Sequence, residues 1–172
     1  MAAFAGFVQL GSTLDVVVIA KNTSNVPTDA DTFPTYRIYG PAGFLAAGSL
    51  SFKDTNVITN APPASPTVYT CNGHNLSVGQ LVTVTGVGGN TAANASAAVT
   101  AVTTNTFTTA TDSHSSGAYT SGGTFHANGV YDFNYTPTIA NNFASGTAYS
   151  VFVIGLFSTV SQSVDNFTFQ VT

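Results

Sequence analysis

Cys71 and His74 are separated by two residues, the local spacing of half a zinc site. A closed site needs a second pair, and neither Cys-x-x-Cys nor His-x-x-x-His occurs; His114 and His126 lie far along the chain, and there is no glutamate. Cys71 is the single cysteine, so a spectator thiol and turn histidines account for these residues equally well. Asp29 and Asp31, in the polar stretch 21–31, have the alternate-residue placement by which loop carboxylates hold calcium, and also that of solvated loop acids. Gly86-Val87-Gly88-Gly89 has no lysine after it and reads as a turn, not a phosphate cradle. Serines are abundant, yet no Gly-x-Ser-x-Gly elbow occurs. The bases are Lys21, Arg37 and Lys53 alone, too few to track a nucleic-acid backbone. The expectation is a chain that is not an enzyme and takes no metal, cofactor or nucleic acid.

The elements that would position any site are strands. Of 172 residues 6% are charged, for a formal net charge of −4. The polar residues are instead 27 Thr, 16 Ser and 14 Asn, which suit strands and turns, not exposed helix faces. Charge normally keeps a free monomer soluble and guards strand edges, so its scarcity predicts a surface covered by neighbours in a permanent assembly, the alternative being a surface hydrated by Thr, Ser and Asn. No apolar run is long enough to span a bilayer, and Met1 to Val8 lacks the basic start of a signal peptide. That apolar stretch carries Phe4, Phe7 and Val8. They make either an edge strand of the fold or an arm packed on a partner, and they are the candidate partner-binding residues.

Composition also divides the chain. Phe, Tyr, Val and Ile mark the flanks, and a Thr/Ala/Gly-rich segment lies between. Residues 1–60 with 127–172 are expected to form one split β-sandwich, and residues 67–126 a small barrel-like β-module inserted into it. Pro62, Pro63 and Pro66 make 54–66 read as a stiff connector. Leu14 to Ala20 and Tyr149 to Ile154 read as strands apolar on both faces, whereas Tyr131, Phe133 and Tyr135 alternate with polar residues and define one inward face. Residues 157–164 read as a loop or weak strand. Neither flank alone supplies enough strands to cover a core, so the two must join, and the size of the whole suits an immunoglobulin-like sandwich.

Two stretches carry a resemblance. His74-Asn75-Leu76-Ser77-Val78-Gly79-Gln80-Leu81-Val82-Thr83-Val84-Thr85-Gly86 resembles small β-modules of tailed-bacteriophage virion proteins, with Asn75 and Gln80 where those have glycine and aspartate. The flanks, from Asp29-Ala30-Asp31, Pro34 and Tyr39 to Gly129-Val130-Tyr131, Tyr135-Thr136-Pro137, Gly146 and Tyr149, resemble phage immunoglobulin-like domains. The resemblance implies a virion structural protein on the capsid exterior, assembled in the host cytoplasm. Such a decoration or cement protein would be a homo-oligomer, with a trimer favoured, bound to the major capsid protein and to no membrane. The alternatives are a neck, tail or fibre component, or a carbohydrate-binding host-recognition module using Tyr69 and Tyr119.

Overall fold

The protein is described by a computed structural model covering residues 3–53, 55–158 and 160–172, with the side chains of residues 3–5 and 161 outside the description. The described chain is all-β, its helical content being two three-residue 3₁₀ turns. It divides into two compact units, Met1–Ser51 with Tyr131–Thr172, and Phe52–Val130.

The first unit is a two-sheet sandwich. Its larger sheet contains β1 (Ala3–Val8), β3 (Thr32–Gly40), β4 (Gly43–Ser49), β13 (Ala148–Phe157) and β14 (Val160–Val171), in the order β1-β14-β13-β3-β4. The smaller has the order β2-β12-β5, from β2 (Leu14–Ile19), β12 (Val130–Tyr135) and β5 (Ser51–Phe52). Strand periodicity sends alternate side chains to opposite faces, and the core is built of those alternates. Tyr36 and Ile38 come from β3, Tyr131 and Phe133 from β12, Val151 and Val153 from β13, and Phe167, Phe169 and Val171 from β14. Aromatic rings extend this core: Phe143, from the connection between β12 and β13, lies 4.5 Å from Tyr149, and Tyr149 lies 5.6 Å from Phe169 on the neighbouring strand.

Two apolar runs behave differently from their composition. Leu14, Val16 and Val18 are buried, but Val17 and Ile19 are 45% and 51% exposed. Likewise Val151 and Val153 point inward while Phe152 and Ile154 point out, each 36% exposed. Each run therefore has one buried face, because within this unit each sheet has its sandwich partner on one side. The stretch expected as a loop or weak strand is instead hairpin, since β13 continues to Phe157 and β14 starts at Val160.

The second unit is a curled six-stranded sheet. It contains β6 (Asn56–Val57), β7 (Thr67–Thr70), β8 (Leu81–Thr85), β9 (Ser96–Val102), β10 (Thr106–Thr109) and β11 (Thr124–Ala127), in the order β6-β11-β8-β9-β10-β7. The segment 56–60 bonds both ends of the curl. Val57 pairs with Thr124 on β11, and Asn60 bridges to Thr70 on β7, the Thr70 amide donating to the Asn60 carbonyl at 2.8 Å. Residues expected as a bare connector are thus part of this unit, with Ile58 and Ala61 in its core. Around them pack Val82, Val84, Val99 and the rings of Tyr69, Phe107 and Phe125. Tyr69 stacks on Phe107 at 4.8 Å.

Candidate partner-binding surface

The residues with chemical potential are occupied by structure. His74 is buried, and its two ring nitrogens have different jobs. Nδ1 accepts the Leu76 amide at 3.0 Å, which places the ring proton on Nε2, where it donates to the carbonyls of Thr103 (2.8 Å) and Thr106 (3.1 Å). This histidine ties the 74–76 turn to the β9–β10 hairpin, and neither nitrogen is left for a metal. Cys71 is fully buried, and burial pushes its thiol pKa up, away from the reactive thiolate. Asp29 and Asp31 line a cleft of about 340 Å³ that also holds Lys21, so a cation there would meet an ammonium group beside the carboxylates. Among the described residues no three His, Cys, Asp or Glu side chains are grouped as a metal ion requires. The Gly86–Gly89 stretch is a turn: Gly88 bridges to Ser121, and both Gly86 and Gly89 take positive φ.

The tyrosines expected to meet sugars are turned inward or engaged. Tyr69 is fully buried, its hydroxyl donating to the Ala93 carbonyl at 2.8 Å. Its strand, Thr67–Thr70, presents Thr67 and Tyr69 inward because the Thr67 hydroxyl finds partners there, the Thr111 carbonyl at 2.8 Å and Ser113 Oγ at 2.9 Å. Tyr119 is half-buried, with its hydroxyl donating to the carbonyls of Ile58 and Gly122.

The N-terminal stretch is strand β1, paired in parallel with β14. Val8 sits opposite Val171 and is buried in the core of its own unit, so it serves the fold and has no surface to offer a partner. Phe7, opposite Gln170, is 67% exposed. The Phe4 side chain lies outside the described part of the structure.

Phe7 shares the outer face of the larger sheet with residues that sequence reasoning did not single out. Tyr39 on β3 packs edge-on against Phe44 of β4 at 5.8 Å and against Phe152 of β13 at 5.7 Å. Phe44 is 59% exposed. Arg37, Tyr39, Phe152, Ile154, Gln162 and Ser163 line an open groove of about 640 Å³ on this face. The surface can bury aromatic and aliphatic groups while offering a guanidinium, an amide and a hydroxyl for orientation, which is the make-up of a binding groove. Alternation in Thr35–Tyr39 was the available signal for half of it. Phe152 and Ile154 were hidden inside an all-apolar run that gives no facing.

No protein-family model matches the chain, and no curated protein matches it. Among the described residues no helix is long and apolar enough to cross a membrane.

Proposed function

We propose that this chain is a structural protein of a tailed-bacteriophage virion, a capsid decoration or cement protein. It works without catalysis, as a homo-oligomer that bridges major capsid protein subunits from outside the shell. The observation that carries the reading is the aromatic outer face of the five-stranded sheet, with Phe7 and Phe44 more than half exposed. Large exposed apolar patches mark interaction sites, and a chain with 6% charged residues has little else to keep such a face in water. The resemblance of both the flanks and the central segment to phage virion modules points the same way. So does the structural use of His74 and Cys71, the side chains best suited to chemistry. Each aromatic side chain buried at the shell contributes roughly 1.5–3 kcal/mol, and repetition around an oligomer multiplies the effect by avidity.

The test is co-sedimentation of the purified full-length protein with phage capsids stripped of their surface proteins. The full-length chain should bind, and Phe7→Ser and Phe152→Ser should lower occupancy at least tenfold with little change in melting temperature. Failure of the full-length chain to bind any capsid overturns the decoration role and turns attention to the neck or tail.

A further inference from the structure

We infer that β4 is an assembly edge, and that its occupant is the β4 strand of a second copy of this chain, paired antiparallel about a two-fold axis. The inference deepens the oligomer in the reading above and rests on it, but it does not depend on attachment to a capsid.

β4 ends the five-stranded sheet, with β3 as its neighbour there. An outermost strand leaves every second amide and carbonyl facing away from its sheet, and those groups recognise another strand. Proteins that stay apart guard such edges with lysine, proline or inward charge. β4 reads Gly-Phe-Leu-Ala-Ala-Gly-Ser and has none of these. The register shift against β3 falls at Leu45, at the beginning of the strand, and Ala46–Ser49 pairs regularly with Thr35–Ile38. That leaves a straight stretch of small residues for a second strand to approach.

Self-pairing is the occupant that the chemistry favours. The nearest charge on the two strands is Arg37 of β3, opposite Ala47. In any β4–β4 pair the two Arg37 side chains stand three strand spacings apart, about 14 Å, which is beyond the screening length of roughly 8 Å at physiological salt. The seam therefore brings no like charges together. Phe44, Ala47 and Ser49 are exposed. Ala47 and Ser49 leave space beside the seam for the partner's Phe44 ring, which would lose much of its 59% exposure. Two-fold pairing is closed and self-complementary, so it stops at two copies, an assembly distinct from a trimer.

The experiment is sedimentation velocity of the full chain from 1 to 100 µM, with Ala47→Lys, Phe44→Ser and a control, Ser77→Lys, which adds the same charge in the other unit. The wild type and the control should be dimers at the upper concentrations. Ala47→Lys should raise the dimer dissociation constant at least tenfold, and Phe44→Ser should raise it less, both with unchanged far-ultraviolet circular dichroism. A wild type that stays monomeric throughout overturns the edge and the oligomer together. A trimer, or a dimer that Ala47→Lys leaves intact, overturns the edge alone.

Discussion

Tyr36 lies flat on Phe133, ring centroids 4.1 Å apart and planes 14° from parallel. The first comes from β3 of the larger sheet and the second from β12 of the smaller, so this stack clamps the sandwich across its middle. The contact also explains a glycine. A Cβ at Gly48, on the neighbouring strand β4, would come within 2.8 Å of the Tyr36 ring, so only glycine lets the ring lie there.

Removing one side of the clamp should be costly. Phe133→Ala should lower stability by about 3–5 kcal/mol, the range for losing a buried ring and leaving a cavity. Asn134→Ala, on the exposed face of the same strand, should change it by less than about 0.5 kcal/mol. Urea unfolding of the two variants measures the difference, and equal midpoints would contradict the facing of β12.

His74 should be structural and not catalytic. His74→Ala orphans the Leu76 amide and removes the donor to Thr103 and Thr106. A loss of about 1–3 kcal/mol is expected for buried partners left unsatisfied. Denaturant titration checks it, with capsid binding of the folded variant unchanged.

Gly89 has φ +74, and a Cβ there would run into the Ala118 carbonyl oxygen. Gly89→Ala should therefore cost at least the ~1–3 kcal/mol of a residue held in a disfavoured backbone region. Gly146 also has positive φ but nothing within 4 Å of an added Cβ, so Gly146→Ala should be the milder variant in thermal melts.

Alkaline pH should lower the stability of the protein. Burial raises the pKa of Tyr69, Tyr131, Tyr36 and Tyr135; at Tyr131 the nearby Asp29 adds to the rise and the Ala30 amide opposes it. A phenol whose pKa is higher folded than unfolded ionises first in the unfolded chain. Its stabilising contribution is complete below the ordinary value of about 10 and is lost as pH climbs through that value toward the raised one. Melting temperature followed from pH 8 to 11.5 should fall from near pH 10 upward. A flat profile would mean the tyrosines are not buried as described.

The sandwich unit should fold without its partner. Ser51 Oγ donates to Asp132 at 3.1 Å, so the two chain ends that flank residues 52–130 lie side by side. Replacing Phe52–Val130 by a short Gly/Ser link should preserve the β-type circular dichroism and a cooperative melt. A non-cooperative melt would show that the sandwich depends on the second unit.

Much of the fold could be read from alternation wherever polar residues marked the outer face, as in Tyr131 to Tyr135. Reading failed where the alternation carried no contrast. Val17, Ile19, Phe152 and Ile154 are apolar yet face outward, and nothing local separates them from the buried residues beside them. It failed again where polar groups are satisfied inside. Thr67 is fully buried because Thr111 and Ser113 accept or share its hydroxyl bond, and that inward turn carries Tyr69 with it. Ile58 and Ala61 were masked by neighbouring prolines, since their burial is decided by strands distant in sequence. For the same reason the candidate surface was half legible. Phe7 stood out by its uncharged neighbours, while the Tyr39–Phe44–Phe152 cluster is assembled by pairing across three strands.

The way 56–60 bonds into its sheet has a mechanical consequence. The segment by which the chain enters the second unit and the strand by which it leaves, β6 and β11, are antiparallel neighbours. A pulling force on the two ends of this unit would open that pair from its mouth, loading one bond at a time, beginning with the Lys53 amide on the Val130 carbonyl at 3.1 Å. Strands arranged to unzip yield at lower force than strands that must shear all their bonds at once. In the intact chain the Ser51–Asp132 bond holds those two ends side by side, so tension reaches the pair only after the sandwich has opened: the unit that would yield most easily is shielded by the one that carries the load.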